Sequence, residues 1–83
     1  MKLLYFAWVR QLAGTSEETL ALPASVATVR ALAAHLAARG GGFAEAFGDP
    51  ARLRAAVNRE HVGFDSPVTD TDEIAFFPPV TGG

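Results

Sequence analysis

From Lys2 to Val9 the chain is almost wholly aliphatic and aromatic, a run short enough to predict a strand. Strand alternation sends Leu3, Tyr5, Ala7 and Val9 to one face and Leu4, Phe6 and Trp8 to the other, so both faces are apolar. Gly14-Thr15-Ser16 predicts a turn. Glu18 to Leu22 then alternates polar with apolar and stops at Pro23, as the second strand of an antiparallel hairpin would. Between Thr28 and Arg39 the period changes: Val29, Leu32, Ala33 and Leu36 fall at i, i+3, i+4 and i+7, which predicts an amphipathic helix. Thr28 suits its N-cap, Arg39 its C-terminal dipole, and Gly40-Gly41-Gly42 a left-handed exit.

Phe43 and Phe47, at i and i+4, predict a short further helical turn that closes one edge of the core and ends at Gly48-Asp49-Pro50. Leu53 to Val57 and His61-Val62 predict two short strands around Asn58-Arg59-Glu60. Asp70-Thr71-Asp72 turns the chain into a last strand, Glu73 to Phe77, which Pro78-Pro79 ends. This order predicts an α+β roll of the β-grasp type, a mixed sheet of four to five strands packed on one main helix. Residues 1–77 form the domain and residues 78–83 an extended, flexible tail.

At 83 residues there is material for one core. Seven Lys and Arg against nine Asp and Glu, with the basic residues scattered, offer no stripe that would neutralise a run of phosphates, so nucleic acid is not an expected partner. No apolar run approaches the roughly 20 residues that span a bilayer. A cytoplasmic protein with no membrane contact is expected. Without cysteine, any sulfur chemistry must use sulfur supplied from outside. Two histidines and dispersed carboxylates give no metal site.

The tail, Pro78-Pro79-Val80-Thr81-Gly82-Gly83, has neither apolar periodicity nor charge to hold it down. The prolines stiffen its base, and fully extended it reaches about 20 Å. Gly82 and Gly83, without side chains, suit a narrow channel and leave the terminal carboxylate as the one reactive group delivered. A carboxylate is a poor acyl donor until activated, for instance as an acyl-adenylate. The chain has no Gly-rich loop followed by Lys and Ser or Thr, so a separate enzyme must use the ATP and this chain binds no cofactor.

Phe76-Phe77-Pro78-Pro79-Val80-Thr81-Gly82-Gly83 closely resembles the ending of the MoaD family, the sulfur-carrying small subunits of molybdopterin synthase. Leu4 to Arg10, Thr28-Val29, Ala56-Val57-Asn58 and Asp70 to Ala75 each look like family counterparts, so the resemblance spans the chain. It implies a ubiquitin-like fold and a sulfur cycle. An E1-like, MoeB-type enzyme adenylates Gly83, and a sulfur donor converts the adenylate to a thiocarboxylate. The tail then enters a MoaE-type large subunit, where two carriers on a central dimer supply sulfur to cyclic pyranopterin monophosphate.

If the first and last strands are neighbours, Leu4, Phe6, Trp8, Ala75 and Phe77 form one outward apolar patch of the kind that marks a partner site. The resemblance favours Phe6 and Phe77 as contacts. His61 stands where relatives tend to carry an aliphatic contact residue, and Arg10 either meets a carboxylate on the activating enzyme or solvates the end of the first strand. Asp70, Asp72 and Glu73 read as turn chemistry. A carrier for thiamine or tRNA thiolation, a ubiquitin-like modifier and an inert interaction module are the alternative functions.

Overall fold

A computed structural model describes residues 1–79. The elements, in order, are strand β1 (Lys2–Tyr5), helix α1 (Ala7–Ala13), β2 (Glu17–Thr19), α2 (Val29–Ala37), α3 (Gly41–Phe47), a 3-10 turn (Pro50–Arg52), β3 (Arg54–Val57), β4 (Glu60–Val62) and β5 (Glu73–Phe77). The five strands form one mixed sheet in the order β2-β1-β5-β3-β4. The two central strands, first and last in the chain, run parallel with Leu4 opposite Ala75, and the other pairs are antiparallel. This is the expected α+β roll.

Period-two alternation sorts the sheet into two faces. Leu3, Tyr5, Ile74, Phe76 and Ala55 point inward and are fully buried, sharing one core with Val29, Leu32 and Leu36 of α2 and Phe47 of α3. Phe47 is the hub: its ring meets Tyr5 and Phe76 edge-on and stacks on Phe43. The predicted i, i+4 pair thus closes one edge of the core.

The opening strand is shorter than expected. Phe6 keeps extended geometry, but Ala7 takes φ +53° and starts α1, so Trp8, Val9 and Arg10 are helical. The reason lies in Val9, Leu12 and Ala13, an i, i+3, i+4 set that packs on the core, with Gly14 at φ +79° donating its N–H to the Arg10 carbonyl as a left-handed cap. Three helices, rather than one with a stray turn, cover the inner face.

The other departures are local. β2 ends at Thr19, although Leu20 N–H still bonds the Met1 carbonyl at 2.9 Å. Thr28 caps α2, accepting from Ala31 N–H at 3.1 Å. α2 ends in right-handed geometry at Ala38, and the left-handed residues Gly40 and Gly41 start α3 instead. Arg39, two residues past the end of α2, binds Glu18 and stacks over Phe43 at 4.7 Å. Asn58 and Arg59, both at positive φ, make the β3–β4 turn.

Candidate functional site

The expected patch is built on the sheet's outer face. Leu4, Ala75, Ala56 and His61 are paired in one row across β1, β5, β3 and β4. Ala56 is buried yet outside the core cluster, while Leu4 and Ala75 are half-buried. Phe77 lies opposite Arg54, with the His61 ring at 5.2 Å from its own. Phe6 continues the β1 alternation outward and is 49% exposed, the large apolar side chain left in water among the described residues. Phe6, Leu4, Ala75, Phe77 and His61 therefore come together.

Trp8 and Arg10 do not join that face. The alternation argument for Trp8 fails because the strand ends before it: from α1 its half-buried ring packs against the core beneath the Arg52 guanidinium, 5.0 Å from the ring centre. Arg10 is exposed on α1, beside a shallow hollow of about 450 Å³ shared with Gln11, Gly14, Thr15 and Ser16.

Because β1 and β5 are parallel, Phe6 and Phe77 mark the same end of the sheet, the end at which the chain leaves β5. Pro78 and Pro79 follow outside any strand; proline has no N–H to extend the ladder. The roles assigned to Val80, Thr81, Gly82 and Gly83 fall outside the described residues.

The opposite end is where the acidic residues are bound up. Asp70 accepts from Leu22 N–H at 2.7 Å and faces the N-terminal ammonium at 3.6 Å, which together hold its carboxyl below the usual range. Asp72 is lowered by the Asn58 amide at 2.9 Å and by Thr69 N–H at 2.8 Å. Asn58 in turn accepts from Glu73 N–H. These carboxylates tie turns, as the sequence reading held.

One polar network crosses the core's edge. Tyr5 Oη donates to Glu18 Oε1 at 2.6 Å, and Arg39 grips the same carboxylate at 2.7 and 3.2 Å. Partial burial works to raise the Glu18 carboxyl, but the Arg39 and Tyr5 hydrogen bonds prevail and hold it low. Burial, then the Glu18 bond and charge, push the Tyr5 phenol up. It is therefore a fixed donor that orients a carboxylate.

The model of the ThiS family matches residues 3–83. The chain belongs to the ThiS family. It is 52% identical to the molybdopterin synthase sulfur carrier subunit of Escherichia coli K12, over all of this chain and 99% of that one. The protein of the same name from Haemophilus influenzae is 40% identical over the same shares. Among solved structures, a Pyrococcus furiosus protein described provisionally as molybdopterin converting factor subunit 1 superposes with a TM-score of 0.69, at 32% identity and 95% of each chain. SAMP1 from Haloferax volcanii does so at 0.74, with 25% identity, over 100% of this chain and 98% of its own. These neighbours share the β-grasp architecture built above.

Arg52, whose guanidinium lies over Trp8, and Arg54, which pairs with Phe77 across β3 and β5, were not singled out from the sequence. No local signal marks them: which arginine lies near which strand end depends on the β3–β5 pairing.

Proposed function

We propose that this chain is the sulfur carrier of molybdenum cofactor synthesis, a non-catalytic subunit that delivers one sulfur atom on its C-terminal carbonyl to molybdopterin synthase. The reading rests above all on its end-to-end likeness to two proteins bearing that name.

In this reading a Gly83 carboxylate oxygen attacks the α-phosphate of ATP on an E1-like partner, releasing pyrophosphate and leaving an acyl-adenylate. Sulfur from a donor displaces AMP and the terminus becomes a thiocarboxylate. The large subunit takes in Pro78 to Gly83, and sulfur passes to cyclic pyranopterin monophosphate; hydrolysis then restores the carboxylate. ATP belongs to the activating enzyme, and the work takes place in the cytoplasm. Leu4, Phe6, Ala75, Phe77 and His61 would seat the carrier, with Trp8 and Arg10 outside that face. The division of labour makes physical sense: β5 is pinned between two strands, so the tail starts from a rigid base and both partners can grip the same outer face.

Intact mass after incubation with the activating enzyme, ATP and a sulfur source is the direct test. The expected gain is that of one oxygen exchanged for sulfur, confined to the C-terminal peptide. Thiocarboxylated protein should then yield molybdopterin with a MoaE-type subunit and the pterin precursor; thiolation with no molybdopterin would assign the carrier to thiamine or tRNA instead.

A further inference from the structure

Seven basic side chains are present. Lys2, Arg30, Arg39 and Arg59 each pair with a carboxylate, at 3.2, 3.2, 2.7 and 3.9 Å. Among the described residues Arg10, Arg52 and Arg54 make no ion pair, and all three are exposed. They also share a location. Arg54 opens β3 opposite Phe77 on the outer face, Arg52 closes the turn before it over Trp8, and Arg10 lies on the helix that follows β1 at the same end. Asp49, the carboxylate nearest Arg52 in sequence, is turned onto Ala51 N–H at 3.1 Å. Asp70, Asp72 and Glu73 are gathered at the far end, where β5 begins.

A chain of net charge −2 therefore holds its unneutralised positive charge where the tail departs. Arg54 is paired with Phe77, the last residue of β5, and Arg52 lies two residues before it over Trp8, so a protein that takes in the tail comes up against this end of the sheet. Each is restrained: Arg52 by the Trp8 face, Arg54 by its own donation to the Leu53 carbonyl at 2.8 Å. Planar guanidiniums held this way suit carboxylates, which they bind in a two-pronged fork. The described hollow lies beside Arg10 rather than beside this pair.

We infer that Arg52 and Arg54 are a docking pair for carboxylates on the rim of the cleft that receives the tail, in the large subunit of molybdopterin synthase. The inference rests on the carrier reading above. Its effect is to speed and orient encounter; the outer apolar face supplies the lasting contact.

Stopped-flow association of the full chain with the large subunit tests it. The double variant Arg52→Glu/Arg54→Glu should associate about tenfold more slowly at low salt, with the deficit closing as salt rises and dissociation changing less. Arg54→Glu alone, which leaves the Trp8 contact intact, should show part of the effect while circular dichroism stays native. Arg52→Lys/Arg54→Lys should keep most of the salt dependence. An unchanged rate at low salt, or slowing that is equal at every salt concentration, overturns the inference. So does binding of ATP or inorganic phosphate to the isolated chain that these variants abolish. Wild-type protein that never binds the large subunit overturns the carrier reading as well, whereas wild-type binding with an indifferent variant overturns this inference alone.

Discussion

The Phe6 N–H donates to the Phe76 carbonyl at 3.1 Å, one step beyond the last paired residues of β1 and β5. That bond carries the parallel register to the very end of the sheet, so Phe6 and Phe77 stand outward side by side next to the base of the tail. Phe6 is about half exposed and lies outside the core cluster. Phe6→Ala should therefore leave stability within about 0.5 kcal/mol. If it anchors the partner, its loss should weaken binding by about 2 kcal/mol, roughly thirtyfold in Kd. Calorimetric titration with the large subunit, beside a urea melt, separates the two effects.

Removing Gly83 should abolish sulfur loading and molybdopterin formation with no change in the thermal midpoint, because among the described residues the buried core cluster ends at Phe76. Intact mass and a melting curve on the same sample check both halves. A truncated chain that still supports molybdopterin synthesis would make the tail an ornament.

Glu18 links stability to pH. Its folded carboxyl lies below the ordinary value of 4.5 because Arg39 and Tyr5 favour the charged form over the opposing effect of burial. A lowered folded pKa means that the contribution is whole above 4.5 and is lost as pH falls through the folded value. Glu18 and Arg39 both reach water, so about 1 kcal/mol or less is at stake. Glu18→Gln should start lower at neutral pH and decline less on acidification, as read from urea midpoints between neutral and acid pH. Parallel curves for the two proteins would contradict this.

Gly42 sits where α3 crosses α1. A Cβ there would run into the Leu12 carbonyl, a backbone atom that cannot swing aside. Gly42→Ala should cost about 1–3 kcal/mol through forced separation of the helices. Chemical denaturation measures it, and Gly63→Ala, at an open position, serves as the control.

Phe47 is fully buried against Tyr5, Phe43 and Phe76, and it joins the helical layer to both central strands. Phe47→Ala should cost about 3–5 kcal/mol, a large part of what a domain of this size has in reserve. A two-state urea curve shifted far to low denaturant is the expected result.

Much of this was legible in the sequence. β5 runs from Glu73 to Phe77 as alternation and the following prolines require, α2 starts at the capping Thr28, and the terminal Gly-Gly needs no folding to be recognised. Each depends on neighbours within a few positions, and local periodicity, capping and proline chemistry are written locally. Helix α1 was the place where local reading failed. Trp8 and Val9 prolong an apolar run that suits a strand and a helix alike, and the choice fell to Ala7 turning left-handed so that Val9 and Leu12 reach the core under α3. The gathering of Phe6 beside Phe77, and of Arg54 opposite Phe77, was likewise settled only by the parallel β1–β5 and antiparallel β3–β5 pairings. Those pairings join residues some seventy and twenty positions apart. Contacts at such separation follow from how the whole core closes, which no short stretch of the chain contains.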